Sequence, residues 1–287
     1  MAIHFILSSN YNRKLFPYTK TLMKKASRPT IADLRALKGQ RQLSMLRVET
    51  LDEAAAAQAA GIDMLSVPPA LLGPAFREAA PTCFAVPGLE YGDFVTAEEY
   101  LRAAFKAMRA GGDAVYCAAS MGIVRRLRDE GIPVCGHSGL IPSQATWTGG
   151  FKAVGKTLDT ALLVWQQVQA LEAAGAFAAE IEVVPAEVAA LISARTSLLM
   201  ISMGAGAGCD AQYLFSDDVL GANRGHVPRH AKVYRNFAAE YDRLQAERVA
   251  AYKEFKSDVD YGAYPQAAHE VGISSEELAR FEAALGD

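Results

Sequence analysis

A histidine, a glutamate and a glycine turn each accompany an apolar run that is typical of a buried strand. His137 follows one such run, Glu182 ends another, and Gly204 and Gly206 follow a third. An imidazole and a carboxylate can act as general acid and general base, and the backbone amides of a glycine turn can approach an anion closely. Because ionisable groups at successive strand ends are typical of barrel active sites, this pattern predicts an enzyme.

A second glutamate, Glu180, lies two residues before Glu182 and therefore on the same face of the predicted strand. A carboxylate on the inward face of a barrel must be paired or protonated, because burying an unpaired charge is costly. Arg47, on the first predicted strand, is the candidate partner, and it shares its strand face with Glu49. Its guanidinium can bind a substrate carboxylate through two hydrogen bonds, whereas an ion pair that only stabilises the interior has the same sequence pattern.

The elements that must position these groups alternate between strand-like and helix-like runs. Helical patterns such as 97–110 and 160–174 separate the strands, and Gly61, Gly111 and Gly175 are typical helix stops. This alternation favours eight parallel strands in a (β/α)8 TIM barrel, although a doubly wound open sheet has a similar pattern. The predicted strands are 42–48, 62–67, 82–86, 113–117, 132–136, 177–183, 197–202 and 211–215.

We expect one α/β barrel domain over residues 1–287, with extra helices at both ends. Residues 228–287 are predicted to form a C-terminal helical extension, with a long helix over 228–258 and a short acidic helix over 274–285. Near the N-terminus, a basic patch is interpreted as one solvated helix face. Its members are Lys20, Lys24, Lys25 and Arg28.

Composition favours a small-molecule ligand. Of 287 residues, 51% are hydrophobic and 21% are charged, and the formal net charge is -3, so neither a nucleic acid nor a membrane surface is an expected partner. Residues 1–7 are too short an apolar run for a secretory signal, and no run is long enough to span a membrane. The cysteines lack metal-binding spacing and predict reduced thiols in a cytoplasmic protein. They are Cys83, Cys117, Cys135 and Cys209.

A series of short motifs follows along residues 30–265. The motifs are TIADL at 30–34, AGID at 60–63, GIPVCGHSGL at 131–140, GGFKAVGK at 149–156, LEAAGAF at 171–177, EVVP at 182–185, GAG at 204–206, CD at 209–210 and YGAYP at 261–265. In this order they resemble the ketopantoate hydroxymethyltransferases, a (β/α)8 enzyme family of pantothenate synthesis. An ordered series is more specific than any single motif.

The resemblance implies a chemistry and a set of site residues. The family binds a 2-oxo acid through a divalent metal, usually magnesium, forms an enolate and attacks the one-carbon unit of methylenetetrahydrofolate. By position, Glu182 corresponds to the family's general base, His137 to a histidine that contacts substrate, and Tyr91 to a tyrosine after the third strand. Tyr116 stands where the family has a lysine, and its hydroxyl is expected either to contact substrate or to fill space. The family also implies a ring-shaped homo-oligomer, in particular a decamer.

The chain departs from the family pattern at each metal ligand. PPA at 68–70 stands where the family has Gly-Asp-Ser, AVP at 85–87 where it has Asp-Met-Pro, and YCA at 116–118 where it has Lys-x-Glu. Magnesium needs oxygen ligands, which proline and alanine side chains cannot supply. We therefore predict no metal ligands and no required cofactor, with Arg47 supplying the positive charge that the metal supplies in the family.

Three functions follow as hypotheses. The first is a metal-independent enzyme that acts on a small 2-oxo acid or carboxylate by carbon–carbon bond formation or cleavage, with Glu182 moving the proton and His137 and the glycine-turn amides stabilising the oxyanion. The second is a genuine 3-methyl-2-oxobutanoate hydroxymethyltransferase that uses methylenetetrahydrofolate and binds Mg²⁺ through other carboxylates, such as Glu49, Glu90 or Glu180. The third is a catalytically silent binding or assembly protein, which the presence of an acid and a base in one predicted site disfavours.

Overall fold

The computed structural model describes residues 27–286, and this part of the chain contains a closed parallel barrel. The eight strands follow one another in sequence order around the barrel, and the eighth pairs with the first. They are β1 Leu43–Arg47, β2 Met64–Val67, β3 Phe84–Leu89, β4 Val115–Cys117, β5 Val134–Gly139, β6 Ala178–Glu182, β7 Leu199–Met203 and β8 Ala211–Phe215. The prediction of a (β/α)8 barrel is confirmed, and the open-sheet alternative is wrong.

Helices follow most of the strands. The predicted helices 97–110, 160–174 and 274–285 are confirmed to within two residues. The α-helices of residues 27–286 are α1 Ile31–Ala36, α2 Leu51–Ala60, α3 Pro74–Ala79, α4 Ala97–Arg109, α5 Met121–Asp129, α6 Ala145–Thr148, α7 Leu158–Ala173, α8 Ala186–Ser193, α9 Ser216–Leu220, α10 Phe237–Asp260 and α11 Ser275–Leu285. None of these helices combines the length and the apolarity that crossing a bilayer requires.

Strand β5 is longer than predicted, and this difference places His137 inside the strand rather than after it. Gly136 looks like a strand stop in the sequence, but the parallel pairing with β6 continues through it. The register aligns His137 with Glu180 and Gly139 with Glu182. Three ionisable side chains on two neighbouring strands are therefore brought close together.

Side chains alternate between the barrel interior and the layer between barrel and helices. On β6, Ala178 belongs to the interior cluster, whereas Ala179 and Ile181 pack in the cluster that contains residues of α7 and α8. Because successive side chains of a strand point to opposite faces, Glu180 and Glu182 also point inward. The inward residues thus change from apolar to acidic toward the carboxyl end of β6.

Helix α1 covers the amino end of the barrel. Thr30 and Asp33 form a capping box that begins the helix, and Leu34, which is 1% exposed, packs in the interior cluster. Of the predicted basic patch, the lysines 20, 24 and 25 lie outside the described residues. Arg28 forms an ion pair with Asp113 at 3.1 Å, so it is not only solvated.

The predicted start of the long C-terminal helix at Pro228 is wrong. Helix α10 begins only after Asn236, whose side chain accepts a hydrogen bond from the amide of Ala239 at 3.3 Å. The residues before it lie against the barrel instead, where the ring of His230 packs against Gly204. Neither α10 nor α11 contains a buried residue.

Candidate active site

A cavity of about 360 Å³ lies at the carboxyl end of the barrel strands. Its walls combine apolar residues such as Met45 and Ile201 with a group of polar and ionisable side chains. The polar and ionisable members are Arg47, Glu49, Ser66, Glu90, Tyr116, His137, Glu180, Glu182 and Tyr213. Active sites of (β/α)8 enzymes occupy this end of the barrel, so the cavity is the candidate active site.

His137 lies at the centre of the hydrogen-bonding network in this cavity. Its side chain is buried, and Nε2 lies 2.8 Å from the carbonyl oxygen of Leu140 and 3.2 Å from Glu182 Oε2. Because both neighbours of Nε2 are acceptors, this nitrogen carries a proton. The hydroxyl of Tyr116 lies 2.5 Å from Nδ1 and can donate to it when the imidazole is neutral.

The charges around His137 stabilise its imidazolium form. Burial opposes that charge, but the carboxylates of Glu180 and Glu182 outweigh burial and raise the pKa of His137 above its ordinary value. Burial also raises the pKa of Tyr116, so its hydroxyl stays protonated at neutral pH. The network therefore holds a proton that can be donated toward the cavity.

Glu180 is the most deeply buried carboxylate of the cavity, at 6% exposure. The nearest cationic group is His137 Nδ1 at 3.9 Å, and within residues 27–286 no donor lies at hydrogen-bonding distance from the Glu180 carboxylate. Burial raises the pKa of Glu180 to about 7, because the opposing charge of His137 is offset in part by the like charge of Glu182. A large share of this side chain is protonated near neutral pH.

This raised pKa predicts a pH-dependent effect of Glu180→Gln on stability. The folded state holds the carboxyl proton of Glu180 more tightly than the unfolded state does. In wild type, the contribution of this proton to the free energy of unfolding is therefore complete below about pH 4.5 and is lost as the pH rises through about 7. The variant carries no ionisable group there, and relative to wild type it should gain about 3 kcal/mol of unfolding free energy between pH 5 and pH 8. Urea unfolding at both pH values measures this gain, with Glu187→Gln on the surface of α8 as the matched control. An equal wild-type-to-variant difference at the two pH values would contradict the prediction.

Arg47 does not pair with Glu180, so the predicted ion pair between them is wrong. Its Nε lies 2.6 Å from Glu49 Oε1, and Nη1 lies 3.5 Å from the hydroxyl of Ser66. Strand β1 is four strands away from β5 and three from β6 around the closed barrel, so Arg47 stands across the cavity from Glu180. The guanidinium retains terminal N–H donors that face the cavity.

Tyr91 and the glycine turn lie outside the cavity walls. The side chain of Tyr91 is 70% exposed, on the loop that follows β3. Gly204 contacts the ring of His230, and a Cβ atom at Gly206 would lie 2.4 Å from the side chain of Ala186 on α8. Close packing thus explains why glycine stands at positions 204 and 206. Their placement outside the cavity lining does not support the expected contact with an anion.

Several cavity residues were not selected from the sequence. Tyr213 and Ser66 occupy inward positions of β8 and β2, and burial raises the pKa of Tyr213, which keeps its hydroxyl as a donor. His230 lies outside the lining but close enough to Glu182 for that carboxylate to affect its pKa, which burial lowers overall. Alternation along each strand identifies Tyr213 and Ser66, whereas no local signal identifies His230.

The backbone around Glu182 is strained and tightly held. Val183 has a φ of 48°, a left-handed conformation that β-branched residues rarely adopt. Its amide donates to the carbonyl of Met203 at 2.9 Å, and its carbonyl accepts from the amide of Val154 at 3.1 Å. The carbonyl of Glu182 accepts from the amide of Leu140 at 2.9 Å. These bonds from three segments fix the position of the Glu182 side chain.

The positions that correspond to the family's metal ligands carry no oxygen donor in their side chains. Pro69 begins an exposed turn after β2, Ala85 packs in the cluster with α2 and α3, and residue 118 is alanine. Potential ligand atoms of His137, Glu180 and Glu182 do lie within 4.8 Å of one another. Both imidazole nitrogens are hydrogen bonded, however, so neither has a lone pair available for a metal ion. The residues present therefore do not fit the family's magnesium site.

A sequence model of the family described as ketopantoate hydroxymethyltransferase matches residues 70–267. The chain belongs to the ketopantoate hydroxymethyltransferase family. It is 35% identical over 211 residues to 3-methyl-2-oxobutanoate hydroxymethyltransferase 1 of Methylibium petroleiphilum, which covers 72% of this chain and 69% of that relative. It is 34% identical over 281 residues to 3-methyl-2-oxobutanoate hydroxymethyltransferase of Nitratidesulfovibrio vulgaris, over 89% of both chains. The prediction of an enzyme of the ketopantoate hydroxymethyltransferase type is confirmed.

The solved structures support the same fold. Oxaloacetate acetylhydrolase in complex with the product oxalate has a TM-score of 0.50 and 12% sequence identity, over 81% of this chain and 97% of that chain. At this identity the likeness concerns the barrel fold alone. Membership of the ketopantoate hydroxymethyltransferase family therefore depends on the sequence relatives.

Proposed function

We propose that this ketopantoate hydroxymethyltransferase-type enzyme acts on a small 2-oxo acid or carboxylate through an enolate, without the family's divalent metal. The observation that carries the proposal is the pair of Glu182 and His137, which lie 3.2 Å apart in the wall of the cavity at the carboxyl end of the barrel. A base beside a proton-holding imidazole is the minimum that enolate formation needs.

In this proposal Glu182 removes a proton from the carbon next to the substrate carbonyl. The negative charge that develops on the carbonyl oxygen is stabilised by the imidazolium of His137 and the hydroxyl of Tyr116, which share one hydrogen bond. Arg47 binds the substrate carboxylate through its terminal N–H groups, since Glu49 occupies only Nε. The enolate carbon then attacks a one-carbon electrophile, or the reverse reaction breaks that bond.

Metal independence makes a testable prediction. Solvent exchange of the proton on the third carbon of 3-methyl-2-oxobutanoate in D₂O reports enolate formation alone, and NMR measures its rate. After treatment with a chelator, the rate should stay within about twofold of the untreated enzyme. Loss of exchange on chelation with recovery on added Mg²⁺ would instead favour the hydroxymethyltransferase with a cation bound by other carboxylates.

Assembly of several copies is the second part of the proposal. Along α10, large apolar residues recur at spacings of three and four and remain exposed, with Tyr252 at 71%, Phe255 at 56% and Val259 at 50%. Such a face on a helix without buried residues favours contact with another subunit. The decamer of the family is the expected size, and the four cysteines, all free and buried, are compatible with a cytoplasmic location.

Removing the apolar face of α10 should therefore reduce the assembly. We expect light scattering after size exclusion to give a multiple of the chain mass for wild type. The variant Phe255→Asp should dissociate at concentrations about tenfold higher than wild type, because it places a charge in an apolar contact. Lys256→Asp, on the neighbouring polar position, is the control. A monomeric wild-type protein would contradict the assembly proposal.

A further inference from the structure

We propose that Glu180 is a catalytic residue that acts as a neutral carboxylic acid and donates a hydrogen bond to the enolate oxygen of the substrate. The inference rests on the proposed function, because it assumes that an enolate forms in this cavity. It assigns to a side chain of β6 the stabilisation of negative charge that a metal ion supplies in the family.

The position of Glu180 suits a side chain that donates a hydrogen bond to a ligand in the cavity. The residue is buried, it faces the cavity, and no donor of residues 27–286 lies at hydrogen-bonding distance from its carboxyl group. A buried carboxylate without a donor is unfavourable, whereas a carboxylic acid in the same place lacks only a partner for its own proton. A substrate oxygen in the cavity would supply that partner.

The nearest positive charge to Glu180 is the imidazolium of His137, and this charge offsets the effect of burial only in part. From β5 comes His137, which lies closer to Glu182 at 3.2 Å than to Glu180 at 3.9 Å. Arg47, across the cavity on β1, is paired with Glu49. The remaining neighbours line the same cavity as Glu180, and they are neutral donors whose pKa values are raised by burial. These neighbours are Tyr116 on β4, Cys135 on β5 and Tyr213 on β8.

The two glutamates of β6 therefore have different roles. Ligand atoms of Glu180 and Glu182 lie within 4.8 Å of one another, and two carboxylates at that distance do not ionise independently. Glu182 lies 3.2 Å from the imidazole of His137 and is the base of the proposed function, while burial raises the pKa of Glu180 to about 7. In many enzymes, two neighbouring titratable groups in different environments divide the work, and one acts as the acid and the other as the base.

The proton balance is simple. Glu182 accepts the proton from the substrate carbon, the electron pair of that C–H bond forms the carbon–carbon double bond of the enolate, and the π pair of the carbonyl moves to its oxygen. Glu180 donates a hydrogen bond to this oxygen without losing its proton. When the enolate carbon attacks the one-carbon electrophile of the proposed function, the carbonyl is regenerated, the leaving group of the electrophile takes the proton from Glu182, and Glu180 is unchanged. No oxidant or reductant is needed.

The test compares three variants in the presence of chelator, using solvent exchange of 3-methyl-2-oxobutanoate in D₂O as the rate. Glu180→Ala removes the donor and should lower the exchange rate about 10²-fold. Glu180→Gln keeps an N–H donor and should retain a rate within about tenfold of wild type. Glu187→Gln is the control for removal of a carboxylate. The wild-type rate should decrease above about pH 7 as Glu180 ionises, and this decrease should be absent in Glu180→Gln.

A second measurement does not depend on turnover. Infrared difference spectra of wild type against Glu180→Gln should contain the carbonyl stretch of a protonated carboxylic acid at about pH 6 that disappears by about pH 9. Absence of this band at the lower pH would overturn the inference. So would an exchange rate that depends on Glu182 but is equal in Glu180→Ala and wild type, which would leave the proposed function intact. If the exchange rate of wild type were no higher than that of Glu182→Gln, both the proposed function and this inference would be overturned.

Discussion

Replacement of Glu182 by glutamine is expected to lower substrate turnover about 10³-fold, within the range of 10²–10⁴ that general bases contribute. The carboxamide has the same shape as the carboxylate but no basic oxygen, so the substrate still enters while the proton on carbon has no acceptor. Solvent exchange and carbon–carbon bond formation should both be lost, because both pass through the enolate. Steady-state rates with 3-methyl-2-oxobutanoate and a one-carbon donor measure the second step.

The matched control for this prediction is Glu187→Gln, which makes the same change on the exposed surface of α8, five residues further along the chain. It should leave turnover unchanged, since its exposed side chain is not part of the cavity lining. Circular dichroism of both variants checks that each is folded. Turnover of Glu182→Gln within tenfold of wild type would exclude this carboxylate as the base and would favour a different role for the cavity.

The second large effect is expected from Gly139→Ala. Gly139 ends β5 with a φ of 83°, and a Cβ atom there would lie 2.5 Å from the carbonyl oxygen of Glu182 and 2.7 Å from the side chain of Val184. The methyl group must push the end of β6 away, in addition to the strain of a left-handed alanine. We expect a loss of about 3 kcal/mol in unfolding free energy and a fall in turnover of about 10²-fold.

A control separates the clash from the strain. Gly131 has a φ of 78°, but a Cβ atom there would meet no atom within 4 Å. Gly131→Ala should therefore cost only the left-handed conformation, about 1 kcal/mol, with turnover unchanged. Urea unfolding and steady-state rates of the two variants give the comparison. If Gly139→Ala behaves like Gly131→Ala, the contact between the ends of β5 and β6 does not position Glu182.

The cluster on β5 and β6 was predictable because strands impose a simple geometry. Alternation places Glu180 and Glu182 on one face, and sequence-adjacent strands of a barrel are neighbours in space, so His137 had to lie beside them. The barrel itself follows from the alternation of apolar strands and helices. These inferences need only periodicity and order along the chain.

The partners of these residues were harder to predict. Arg47 shares a strand face with Glu49, and the sequence permits it to pair either there or across the barrel. Only the closed topology decides, since β1 and β6 stand on different sides of the cavity. The glycine turn shows a related ambiguity, because a missing side chain serves anion contact and tight packing equally well, and Gly206 packs against α8.

The placement of Arg47 opposite the pair of Glu182 and His137 has a stereochemical consequence. A substrate whose carboxylate binds at β1 and whose reacting carbon reaches β6 lies across the barrel axis and presents one side of its planar enolate to Glu182. Bond formation is then expected on a single enolate face. A 2-oxo acid with two unlike substituents on the reacting carbon should accordingly yield one configuration of product, which chiral chromatography resolves.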